Sequence, residues 1–331
     1  MGASSRRRLK SRCLHPTRRY NVGVIARGCF SIAVAFVLGS PGLAQNPTPP
    51  PPAKKPPPAT GEKRLQQATE KIISDPVKLR PRKSAGLPQS ASKYAQAALK
   101  LSADWQHGET DHFIVHYKIQ PVAEQVAAIL ELSYAKVKID LNAAADRATG
   151  KSHVFLFRSR DEWARLQMPV PDWAIGVTHG PEFFAVLGER PSASDQAIVA
   201  HEVSHLTFNR FVSMHVPLWL NEGFAEFESE SAYTKLHGQQ NGIPLRLSTR
   251  AFSINTLTAA TSYPSDPKLA SAFYGESERL VRFLLTRHTK ARFLQLVDRL
   301  GKGATFPNAF EQTYGNQYKK FSDFEHAYEN F

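Results

Sequence analysis

Two histidines four residues apart in an apolar run place the tightest constraint on this chain: Ala197-Ile-Val-Ala-His201-Glu202-Val203-Ser204-His205-Leu206. Positions i and i+4 of a helix share a face, so both imidazoles reach one ion if the stretch is helical. The surrounding residues favour a helix. Ser194 can cap its start, Asp195 suits the first-turn dipole, and Ala197, Ile198, Ala200, Val203, Leu206 and Phe208 supply a body for burial. His-Glu-x-x-His on a helix provides two metal ligands and, between them, a carboxylate that can act as a base.

A second apolar, helix-compatible stretch follows, Pro217-Leu-Trp219-Leu220-Asn221-Glu222-Gly223-Phe224-Ala225-Glu226-Phe227, with Glu222 seventeen positions beyond His205. Zinc in a hydrolase commonly takes three protein ligands and leaves a fourth position open, and His-His-Glu is one of the usual sets. The expected Zn2+ ligands are therefore His201, His205 and Glu222. Gly223 costs a free helix about 1 kcal/mol relative to alanine; it fits a close approach of two helices around one ion, or a flexible helix start. Glu226, one turn beyond Glu222, can accept the spare ring N–H of a ligand histidine, or it belongs to a solvated acidic run with Glu228 and Glu230.

His201-Glu-Val-Ser-His205 followed by Trp219-Leu-Asn-Glu222-Gly-Phe-Ala-Glu226 resembles the gluzincin peptidases. The wording is similar to the aminopeptidase-N-like family, and the size and arrangement are closer to the bacterial peptidase-MA-like domain, a secreted group. The resemblance covers roughly residues 110 to 331. The gap between the motifs is slightly shorter than in the aminopeptidases, and no Gly-Ala-Met-Glu-Asn segment is present, which sets the chain apart from the exopeptidases. The resemblance implies an α+β, zincin-like fold: a small mixed sheet packed on the HExxH helix, followed by a mainly helical C-terminal part. It implies a metallopeptidase with a peptide or protein substrate, Glu202 as general base, and a downstream Tyr or His that polarises the carbonyl. Tyr274 is the expected group, with Tyr263 and Tyr233 as rivals. In zincins the strand before the zinc helix lies at the sheet edge and pairs with the substrate backbone, a place that Phe183–Leu187 would fill here.

The net charge of +13 and pI near 9.7 could suggest nucleic acid, but position argues otherwise. Eight basic residues (Arg6, Arg7, Arg8, Lys10, Arg12, Arg18, Arg19 and Arg27) precede residue 45, where no acidic residue occurs, and subtracting them from +13 leaves +5. No aromatic-interleaved basic patch raises that bias, so no nucleic-acid partner is expected. Residues 1–44 read as a secretory signal: a basic region, the apolar run Cys29–Gly39, then Gly42-Leu43-Ala44 before Gln45. The run is too short to span a membrane, so no stable span remains after cleavage. A secreted or periplasmic location follows. Both cysteines, Cys13 and Cys29, fall inside this leader, which leaves histidine and carboxylate as the metal-binding chemistry of the mature chain.

Residues 45–105 read as a proline-rich, basic linker with short helices over Glu62–Ser74 and Tyr94–Leu101, and 106–331 as the zincin-like domain. Within it, His112–Ile119, His153–Phe157 and Phe183–Leu187 read as strands. Val122–Leu141, a turn at Asp161–Leu166, Ser271–Leu285, Ala291–Leu300 and segments of Pro307–Phe331 read as helical. His112 and His116 share a strand face opposite Phe113 and Val115, either as metal ligands or as partly buried histidines. His215 lines the cleft or faces solvent. The alternative to a peptidase is a non-catalytic zincin-fold module that binds a cell-envelope or peptide ligand.

Overall fold

The computed structural model describes residues 77–141, 150–170, 174–212, 216–237 and 251–331, together with 30–32 and single positions 63, 67, 70 and 71. The leader (1–44), apart from 30–32, the helix expected over Glu62–Ser74, and His215 lie essentially outside the described residues.

The architecture is α+β and zincin-like: a mixed sheet with helices on it and a mainly helical C-terminal part. The strands are β1 (Phe30–Ile32), β2 (Arg80–Pro81), β3 (Gln106–Glu109), β4 (Phe113–Tyr117), β5 (Ser152–Phe157), β6 (Gly176–His179) and β7 (Glu182–Val186). They lie in the order β1-β6-β7-β5-β4-β3-β2. β4, β5 and β7 run parallel, and the remaining pairs are antiparallel. A parallel pair needs a long crossover. Helix α2 (Gln120–Asp140) supplies it between β4 and β5. Helix α1 (Lys93–Lys100) and the short α3 (Arg160–Ala164) lie on the other face, so β4 and β5 are buried along their whole length.

The strand expected at Phe183–Leu187 forms as β7, but not at the sheet edge. Gly180, with φ of 59°, folds the chain back at a two-residue turn, and β6 pairs outside β7. Beyond β6 lies β1, with Ser31 opposite Thr178. The four-residue β6 carries a glycine and no two-residue period long enough to mark it in sequence.

The described part of the linker segment is built into the sheet domain. β2 pairs with β3, and the expected helix near Tyr94–Leu101 forms as α1, capped by Ser92 and burying Tyr94, Ala95 and Ala98. Its apolar partners are Phe155, Phe157 and Phe184 on the outer sheet face.

On the inner face lie α4 (Ala193–Phe211) and α5 (Leu218–His237), with α2 beside them, followed by α6 (Ile254–Ala259), α7 (Pro267–Arg287), α8 (Lys290–Gly301), α9 (Phe306–Tyr314) and α10 (Phe321–Glu329). One apolar core runs from β4 and β5 through these helices to Phe324. Ser192, rather than Ser194, caps α4, in a reciprocal capping box with Asp195. Lys136 of α2 is buried between Asp140, 2.6 Å away, and Glu228 of α5, 2.8 Å away, which ties α5 to α2. Among the described residues no helix is long and apolar enough to cross a membrane.

Candidate metal centre

Helix α4 is buried on nearly every side from Val199 to Phe208, so His201 and His205 are held by packing before any ion is considered. They project one turn apart, with Nε2 atoms 3.0 Å from each other. Glu222 comes from the first turns of α5, and its Oε2 stands 3.3 Å from His201 Nε2 and 3.4 Å from His205 Nε2. A tetrahedral zinc with bonds of 2.0–2.2 Å sets its ligand atoms about 3.3–3.6 Å apart; the two carboxylate–imidazole distances match that spacing, and the imidazole pair at 3.0 Å stands a few tenths of an ångström closer. Glu222 Oε2 is buried and accepts no hydrogen bond although it faces two imidazoles. A buried acceptor in that state is costly unless a cation completes it. Among the described residues this is the group of His and carboxylate donors that converges on one point.

Electrostatics agree with the geometry. Burial pushes the Glu222 carboxyl up, but His205 and His201 outweigh it and hold it below the usual carboxylate range. Glu202, the next residue after His201, is fully buried, and neither carboxylate oxygen has a hydrogen-bond partner. Desolvation lifts it to about 7, with His205 opposing the rise. Gly176 of β6 crosses directly over it: a Cβ there would lie 3.2 Å from Glu202 Cγ. Thr178 of the same strand donates to the Glu202 carbonyl at 2.9 Å. β6 is therefore the strand laid against the glutamate, and β7 lies one strand further in.

Glu226 Oε1 stands 3.4 Å from His201 Nδ1, on the side of the ring away from the donor triangle. The two tyrosines differ. The Tyr263 hydroxyl donates to Glu222 Oε1 at 2.7 Å. Tyr274 is buried on α7, with its ring edge-on to His201 at 6.2 Å and stacked on Tyr263 at 6.0 Å. The side chain of Tyr233 lies outside the described residues. Tyr263 sits between helices in a polar stretch next to Pro264, where no periodicity marks a site residue; only its aromatic ring in such a stretch was a signal.

Gly223 does mark a close helix approach, and the partner is α7. A Cβ at Gly223 would lie 2.2 Å from the Ser277 carbonyl oxygen, so the backbone of α7 passes directly over the residue beside Glu222. His112 and His116 play no part in this centre. His112 bonds Glu131 at 2.7 Å, and His116 is buried on the opposite sheet face.

A buried His-His-Glu triangle on two packed helices beneath a mixed sheet defines a metallopeptidase-type domain of zincin-like fold. A family model described as the peptidase MA superfamily matches residues 148–328, 181 of the 331 residues, and the chain belongs to that superfamily. No curated protein matches the chain. The matched span contains α4, α5 and the C-terminal helices, while β2–β4, α1 and α2 precede it.

Proposed function

We propose that this chain is a zinc-dependent peptidase that hydrolyses peptide bonds, with Glu202 as general base. The observation that carries the reading is the convergence of His201, His205 and Glu222 beside a buried carboxylate that has no partner of its own. Zinc held there would act as a Lewis acid toward the scissile carbonyl and bring the pKa of a bound water down to about 7.

The chain's own residues do the rest. Glu202, desolvated and poised near neutrality, takes the proton of the attacking water and passes it to the leaving nitrogen. Glu226 orients His201 through its Nδ1–H. We place the hydrogen bond to the developing oxyanion on Tyr263, whose hydroxyl already lies at the ligand carboxylate, and give Tyr274 the task of packing against His201. A peptide or protein is the substrate class that the superfamily supports. The leader-like segment 1–44 supports a secreted or periplasmic location, testable by N-terminal sequencing of the exported form.

The test is turnover of a peptide library by wild type and Glu202→Gln at equal zinc content. General-base removal costs about 10²–10⁴-fold. A variant that keeps its zinc and loses turnover by that factor supports the assignment. Equal turnover refutes it, and zinc binding with no turnover in either protein points to a binding module instead.

A further inference from the structure

On the sheet face away from α4, three imidazoles form an unbroken row across neighbouring strands. His107 Nδ1 of β3 stands 3.0 Å from His116 Nδ1 of β4, and His116 Nε2 stands 2.9 Å from His153 Nδ1 of β5. His116 and His153 are buried, and their rings stack at 5.2 Å; His116 also lies on Phe155 at 4.4 Å. His107, half-buried, closes the row at its outer end.

The proton count of such a row is fixed by chemistry. A neutral imidazole has one N–H and one lone pair, so each of the two contacts needs one proton between its nitrogens. Three neutral rings carry three protons: two fill the contacts and the third sits on one terminal nitrogen, His107 Nε2 or His153 Nε2. A fourth proton fits on the other terminal nitrogen with both bonds intact. A fifth sets two N–H groups face to face and breaks a bond. The row does not gather round an ion, because His116 offers opposite ring nitrogens to its two neighbours.

The surroundings keep the row neutral. Burial first, then the neighbouring His153, His107 and Arg82, push His116 down to about 2. Burial and Arg82 push His153 down to about 4, and lower His107 as well. Arg82 is held by Glu109, which also pairs with Lys151. On β7, Glu182 is the register partner of His153, and its carboxylate is taken up by the backbone N–H and hydroxyl of Ser92. His179 and Lys93 lie beyond it, toward α1.

The row also forms part of the floor under the segment from β2 to α1. Arg82 N donates to the His107 carbonyl at 2.9 Å, and α1 packs on Phe155, which rests on His116. We propose that His107, His116 and His153 form an acid-operated latch that holds residues 79–101 on the outer sheet face and lets go when a second added proton separates one imidazole pair. The latch is independent of the metal centre and of the peptidase reading.

The test is hydrogen exchange of the α1 amides, as protection factors, for the wild type and His116→Phe at pH 7.0 and at a pH of about 3, below the range in which His153 takes its proton. The latch predicts at least a tenfold loss of α1 protection in the wild type at the acid pH, with α8 unchanged and His116→Phe insensitive to pH. Wild-type protection that survives at the acid pH, or an equal loss in α8 or in His116→Phe, overturns it. If His116→Phe does not fold, ¹⁵N imidazole spectra of the wild type decide. Two neutral rings below pH 5, titrating together, support the row, and three independent titrations near pH 6.5 overturn it.

Discussion

Gly223→Ala sets two physical effects against each other beside the candidate metal centre. Helix propensity alone favours the alanine by about 1 kcal/mol. Packing opposes it: the new Cβ would lie 2.2 Å from Ser277 O, 2.4 Å from Ser277 C and 3.0 Å from Glu278 N, all backbone atoms of α7. No rotamer change relieves a contact with backbone, so α7 must retreat by about 1 Å to restore ordinary contact, an overpacking that costs about 3 kcal/mol. The net destabilisation is then about 2 kcal/mol, which lowers Tm by about 4–8 °C in a domain of this size. Retreat of α7 also carries Tyr274 away from His201, so zinc binding weakens as well. Calorimetric melting of the metal-free and zinc-replete variant measures both effects. A metal-free Tm equal to or above that of wild type would refute the reasoning, because it would mean that Gly223 is tolerated for flexibility and not required by the crossing of α5 and α7.

Other outcomes follow from the same structure. Tyr263→Phe should lower kcat by about 10²-fold with little change in zinc content, as for loss of an oxyanion donor, whereas Tyr274→Phe should keep most of the activity; the reverse order in steady-state kinetics would return the role to Tyr274. Lys136→Met strands the buried Glu228 without its cation, while Asp140 keeps Lys290, and should cost about 3–5 kcal/mol in denaturant unfolding; a shift below about 1 kcal/mol would show Glu228 to be hydrated. Stability should fall on acidification from pH 6.5 to 4.5. Unfolded histidines bind protons near 6.5, while His116 and His153 in the fold stay neutral down to about 2 and about 4. The unfolded state therefore takes up more protons in that window, at up to about 1.4 kcal/mol per pH unit for each ring. Urea midpoints that are flat from pH 6.5 to 4.5 would contradict this.

The His201–His205–Glu222 cluster was legible because metal-binding chemistry fixes spacing: i, i+4 histidines reach one point only on a helix, and a third donor on a second apolar stretch closes the set. Long periodic elements such as α2 and α7 were legible for the same local reason. What escaped depends on contacts distant in sequence. β2 goes unread, and the helix expected over Tyr94–Leu101 reads as part of a linker; only pairing with β3 and packing on Phe155 and Phe184 place β2 and α1 in the domain. β3 and β6 are four residues each with a glycine inside, too short to show a period. Alternation correctly sets His116 opposite Phe113 and Val115, but His112 does not share its face: it lies before β4 and turns to Glu131 and Tyr134 of α2. The partners of His116 come from β3 and β5, and strand order is a property of the whole sheet. Tyr263 reaches Glu222 across 41 positions of sequence, a distance over which local pattern carries no information.

The central claim is tested most directly by zinc stoichiometry of the purified protein, wild type beside Glu222→Ala, after metal-replete preparation and dialysis. The account predicts one tightly held zinc per wild-type chain, lost or weakened by orders of magnitude in the variant, whose fold is retained by circular dichroism. A wild type without bound zinc, or a Glu222→Ala variant that holds it as tightly, would contradict the assignment of His201, His205 and Glu222 as the metal centre.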